Sequence, residues 1–210
     1  MMRRNAWLGG GIAALALVYW LPTRQWFSGW GTAPEERARV MPGDHIIPNP
    51  TLVGTGAVTV EAPPEDIWPW LVQMGSQRGG LYSYDWLDRL FGFLDRPSAN
   101  QILPEFQHLA VGDTIHFGRD ELIVQALEPL RALVLLDTGH GMQWVWQFGL
   151  YPIDAQHTRL VERGAQWIPN TVVAWLGLLA IEPAGFIMTR RFLLGIKQRA
   201  ETLRRSRSSN

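Results

Sequence analysis

VGDTIHFGRDELIVQALEPLRALVLLDTGHGMQWVWQFGLYPIDAQHTRLVERGAQ, residues 111–166, is the stretch that decides the fold. Five strand-like runs lie within it: Asp113–Phe117, Glu121–Leu127, Ala132–Asp137, Met142–Tyr151 and Thr158–Gln166. Between them stand turn residues such as Gly118, Pro129, Gly139, Gly141 and Pro152. The joints are too short to hold helices, so the strands must follow one another as an antiparallel meander. Downstream, Phe186–Leu203 has helical spacing: Met188, Phe192, Ile196, Ala200 and Leu203 form one stripe, and Arg190, Lys197, Glu201 and Arg204 face away from it. Upstream, Thr55–Val60 alternates as a first strand. Pro63, Pro64, Glu65 and Asp66 then open a helix striped by Ile67, Trp70, Leu71 and Met74, which Pro69 predicts to be short or kinked. After Gly79 and Gly80 the pattern predicts another short helix, with Ser83 as its cap and Leu87, Leu90 and Phe91 on its buried side.

One strand, two short helices, an antiparallel meander and a long amphipathic helix make an α+β order, that of the helix-grip fold. A curved sheet is expected to wrap the last helix and leave a cavity between them. The composition agrees with a packed domain: 47% of residues are hydrophobic and 18% charged. Nineteen basic and nineteen acidic side chains cancel, which argues against a general nucleic-acid binder. The absence of cysteine excludes disulfides and thiolate chemistry.

The N-terminal segment carries a separate signal. AWLGGGIAALALVYWL, residues 6–21, has no charge and lies between Arg3, Arg4 and Arg24. As a helix it is somewhat short of the roughly 30 Å hydrocarbon core. The first expectation is a single-pass membrane anchor over residues 1–31, with the positive-inside bias leaning the domain outward. A cleaved signal peptide and a buried helix are the competing readings. Both ends of the chain are basic and its body is acidic, which suits ends lying near an anionic bilayer. Residues 32–53 hold four prolines and read as a linker along the domain surface, 54–204 as the helix-grip domain, and 205–210 as a disordered tail. TVVAWLGLLAI, residues 171–181, reads as a further apolar helix, interrupted by Glu182 and Pro183 and packed on the domain or dipping into the bilayer interface.

Six segments carry a resemblance: PGDHIIP at 42–48, VTVEAPPEDIWPWLVQMG at 58–75, RGGLYSYDWLDRL at 78–90, ILPEFQHLAVGDTI at 102–115, ALEPLRALVL at 126–135 and FIMTRRFLLGIKQRAE at 186–201. Through them the chain resembles a bacterial, membrane-anchored branch of the START/polyketide-cyclase superfamily. The resemblance implies the helix-grip fold and an apolar cavity for lipid- or polyketide-like molecules. It transfers no catalytic residue and no cofactor.

Candidate ligand contacts follow from the pattern. Trp144, Trp146 and Phe148 alternate with Gln143, Val145 and Gln147, so one sheet face is aromatic, and Met188, Phe192 and Ile196 face it from the helix. Tyr82, Tyr84 and Trp86 follow a glycine pair and suit a polar-aromatic lip, although packing alone also accounts for them. His116 and Arg163 sit mid-strand and serve as acid, base or anion anchor if they point inward. No spacing suggests a metal site, a phosphate loop or a Ser-His-Asp triad. Membrane-tethered binding or carriage of a hydrophobic small molecule is the first functional expectation. A cyclase or dehydratase, which needs at least two of those polar groups converging in the cavity, is the alternative. A membrane-bound interaction domain with a filled cavity is the third.

Overall fold

The computed structural model describes residues 23–208. Its strands are β1 (Leu52–Val60), β2 (Thr114–Phe117), β3 (Asp120–Glu128), β4 (Ala132–Asp137), β5 (Gln143–Pro152) and β6 (Thr158–Trp167). They form one antiparallel sheet in the order β1-β6-β5-β4-β3-β2. Among the described residues the helices include α1 (Pro34–Ala38), α2 (Pro64–Val72), α3 (Asp85–Leu90) and α4 (Val172–Ser208). This is the α+β order expected. The meander runs from β2 to β6, and β1 then pairs with β6 from Leu52↔Gln166 to Val60↔Thr158. β1 begins three residues earlier than its apolar alternation indicates, because Gly54 breaks the pattern without breaking the pairing.

The inner face of the sheet and two helices share one core. Val58, Val60, Leu133, Leu135, Phe148, Leu150 and Leu160 pack against Ile67, Trp70 and Leu71 of α2 and against Phe192, Leu193, Ile196 and Ala200 of α4. The C-terminal half of α4 is therefore seated on the sheet. Gly195 fixes how closely it sits: a methyl there would collide with the Tyr82 carbonyl oxygen, and Tyr82 itself has φ +53°. Gly195→Ala must lift the helix or shift that loop, and it is expected to cost roughly 1–3 kcal/mol, measured by urea denaturation.

Three expectations need correction. The apolar run 171–181 and the amphipathic helix are not separate: α4 is one helix of 37 residues with Pro183 inside it. A single proline removes one backbone donor, which a helix of this length tolerates. Glu182, which looked like a break, is paired instead; Arg24 Nε lies 3.0 Å from both of its carboxylate oxygens. In α3 the buried side is Asp88, while Leu90 and Phe91 are exposed, and Tyr84 rather than Ser83 precedes the first turn. Asp85 accepts the Ser98 backbone N–H at 3.1 Å and its hydroxyl at 2.7 Å, and these bonds help set the helix face that turns inward. Finally, among the described residues no helix is long and apolar enough to cross a membrane. The single-pass membrane localisation is corrected on that finding, and the 6–21 segment lies outside the described residues.

The stretch read as a linker packs across the outer face of the sheet. Met41 is buried with Ala57 and Val161, and Ile47 with Val134, Val145 and Ala165. Arg163 holds this strap. Its five N–H groups meet five acceptors: Nε donates to Thr55 Oγ1 (3.2 Å), Nη1 to Arg39 O (2.9 Å) and Asp44 Oδ2 (2.6 Å), and Nη2 to Glu36 O and Arg37 O (both 3.0 Å). Gln147 completes the join, accepting the Gly43 N–H at 2.8 Å and donating to Asp44 Oδ1 at 2.7 Å.

Candidate ligand cavity

Directly paired residues in an antiparallel sheet share a face, so register alone assembles the inner wall. Three rows cross β1, β6 and β5: Leu52–Gln166–Trp144, Gly54–Gly164–Trp146 and Gly56–Glu162–Phe148. Large rings thus stand on β5 and glycines on β1 and β6. The N-terminal half of α4 faces them with Ala174, Gly177, Ala184, Gly185 and Met188. At Gly54, Gly177 and Gly185 an added Cβ would meet nothing within 4 Å. Small residues opposed to small residues leave a cavity of about 680 Å³, within the range of small-molecule sites.

Aromatic rings make much of its wall. Trp144 and Trp146 stack with centroids 5.3 Å apart, and Phe117 meets both edge-on, at 6.0 and 5.5 Å. Phe93 packs on Phe117 at 5.1 Å, and Phe27 stacks on Phe186 at 4.4 Å beside α4.

One ionisable group is buried in this wall. Glu162 is 5% exposed, and its Oε1 accepts the Trp146 Nε1–H at 2.8 Å. Burial pushes its carboxyl up to about 7, against the opposing pull of the Trp146 indole, the Gly56 backbone N–H and the Arg163 charge. The remaining charged groups on the lining are Asp120, Asp137, Glu182 and Arg190, the last exposed, with its guanidinium 5.0 Å from the Trp30 ring centre.

Of the residues expected as ligand contacts, Trp144, Trp146 and Met188 line the cavity. Phe148, Phe192 and Ile196 are core instead, because the half of α4 that carries the latter two is seated on the sheet and on α2. Tyr82 is buried between Trp70 and Phe192 with Arg199 4.8 Å from its ring centre, and burial raises its phenol above the ordinary value. Tyr84 and Trp86 lie outside, Trp86 being 67% exposed. His116 is half-exposed on β2, opposite Glu121, with Nδ1 3.9 Å from its carboxylate. Arg163 is on the outer face, under the strap. The polar groups proposed for a lip or an acid–base pair therefore do not converge.

Glu162 was missed, and strand parity was the signal that could have found it. Once Trp144 and Trp146 are placed inward and β5 is joined to β6 by a short turn, the register turns position 162 inward and 163 outward. A second buried carboxyl lies apart from the cavity. Asp88 on α3 is fully buried, and burial, followed by the nearby Asp85 carboxylate, pushes it up to about 7 against the smaller pull of the Ser83 hydroxyl. Among the described residues no group of three or more His, Asp or Glu is placed to hold a metal.

No family model matches the chain, and no curated protein matches it. Solved structures similar to it include protein MLL2253 from Mesorhizobium loti, at 20% identity and a TM-score of 0.40, covering 70% of this chain and 97% of that one. CalU16 from Micromonospora echinospora is 15% identical with a TM-score of 0.36, covering 71% and 84%. DynU16, a protein of the dynemicin biosynthetic locus, is 15% identical with a TM-score of 0.39, covering 67% and 45%. The chain's own architecture, one antiparallel sheet against a long C-terminal helix, agrees with the helix-grip expectation. The membrane-anchored branch finds no support in these matches.

Proposed function

We propose that this chain binds an apolar small molecule between its sheet and the N-terminal half of α4. The observation that carries the reading is the cavity of about 680 Å³, walled by stacked indoles on one side and floored by the facing glycines Gly54 and Gly164. Such a volume, mostly apolar and with few buried polar groups among the described residues, is the arrangement typical of small-molecule sites. It also counts against an interaction domain whose interior is filled by side chains. Cyclase or dehydratase chemistry has less support, because the residues considered for it are dispersed.

Gly54→Leu tests the reading. The new side chain enters open space in the cavity, and glycine in a strand interior is itself unfavourable by roughly 0.5–1 kcal/mol. The variant is expected to melt at or above the wild-type temperature while losing about tenfold or more in affinity for a neutral aromatic probe such as biphenyl, followed by tryptophan fluorescence. Wild-type affinity in a folded Gly54→Leu protein sinks the proposal.

A further inference from the structure

We propose that the ligand is a flat apolar molecule carrying a hydroxyl group, which lies over Gly164 and bonds there to Glu162 and Trp144. The inference rests on the ligand-binding reading above and adds the polar chemistry that reading leaves open. The place where Gly164 lacks a side chain is 3.4 Å from Trp144 Nε1 and 3.7 Å from Glu162 Oε1. A hydroxyl seated above that point, at van der Waals distance from the glycine Cα, is flanked by a donor and an acceptor, and a hydroxyl is the group that serves both.

Each partner has capacity for it. The Trp144 indole N–H donates to no described residue, whereas the neighbouring Trp146 N–H is already engaged by Glu162. Glu162 Oε1 accepts that one bond and, as a carboxylate oxygen, has room for another. The flatness follows from the backbone. Gly54 and Gly164 pair directly across β1 and β6, so the floor beside the polar pair is bare peptide, against which a ring can lie. Trp146 stands next in the same row.

Other polar ends fit less well. An ammonium would satisfy Glu162 but would meet the Trp144 N–H donor to donor. A carboxylate would accept from Trp144 but would confront the buried Glu162. Arg190 offers an anion the one guanidinium among the described lining residues, yet it is exposed, where screening weakens it. A methyl ether accepts from Trp144 and gives Glu162 nothing.

The test compares 4-hydroxybiphenyl with biphenyl, 4-methoxybiphenyl and 4-(aminomethyl)biphenyl on the full chain, by calorimetry and tryptophan fluorescence. At pH 8, where the Glu162 carboxyl is mostly ionised, the phenol is expected to bind about tenfold or more tighter than biphenyl or the ether, as suits a hydrogen bond to a charged acceptor. That advantage is expected to shrink severalfold in Glu162→Gln and in Trp144→Phe, both checked for an unchanged fold by circular dichroism. Equal binding of phenol and ether, or tightest binding of the amine, overturns the hydroxyl assignment and leaves apolar binding standing. Absence of binding by all four removes both readings. The ligand comparison uses wild-type protein, so it decides the matter even if a variant fails to fold.

Discussion

Arg163→Met is expected to cost this protein about 3–5 kcal/mol, the range found when one partner of a buried charged network is deleted. The guanidinium is almost wholly enclosed, and each of its five donors has an acceptor. Methionine fills much of the volume but leaves the carbonyls of Glu36, Arg37 and Arg39 and one Asp44 oxygen without that donor. Lysine is expected to rescue little, since a point-like ammonium with three donors cannot reproduce a planar fork of five. Urea denaturation provides the measurement. Asp44→Asn alone should cost less, because its side chain is partly exposed and keeps the Gln147 contact. The double variant should fall short of the sum of the two by roughly 1–3 kcal/mol, as residues within one network do. Strict additivity would mean that Arg163 does not act through Asp44.

The other large effect is on pH. Asp88 and Glu162 both have folded-state values raised by burial to about 7. Below about pH 4 both carboxyls are protonated in the folded and unfolded chain, and they contribute nothing to the pH dependence. Between about pH 4 and 7 the unfolded chain loses these protons while the folded one keeps them, so stability falls as pH rises. Above about 7 the folded protein ionises as well, and the loss levels off at a few kcal/mol per group. Glu36 acts in the opposite sense. Its salt bridge with Arg159 lowers its value, so its contribution is present at neutral pH and lost in acid. Maximum stability is therefore expected near pH 4–5. Asp88→Asn and Glu162→Gln should each raise stability at pH 8 and flatten the slope between pH 5 and 7. A flat profile in the wild type, or unchanged slopes in both variants, would contradict the burial of these groups.

The two faces of β6 account for much of the difference between Glu162 and Arg163. They are neighbours in sequence, and both are almost fully buried, yet one serves the cavity and the other the strap. Alternation along a strand makes that separation obligatory. Choosing which face is which takes the register with β5, and the register was within reach once the β5–β6 turn had been placed.

Local chemistry determined the elements themselves. The turn residues between 111 and 166 imposed a meander, the stripe from Met188 to Leu203 imposed a helix, and alternation in β5 placed Trp144 and Trp146 together. Those patterns depend on periods of two and 3.6 residues, which any window of the chain displays. Tertiary structure alone decided the rest. It seated the strap of residues 34–47 on the outer face, although its prolines read as a linker, because Met41 and Ile47 are buried by strands remote in sequence and the Arg163 bonds to the strap span more than a hundred positions. It turned Asp88 inward on α3, and it placed Phe192 and Ile196 in the core while leaving Met188 on the cavity. The cavity is the plainest case. A void has no sequence of its own: it exists because Gly54 and Gly164 on the sheet happen to face Gly177 and Gly185 on the helix, and only packing brings such distant glycines together.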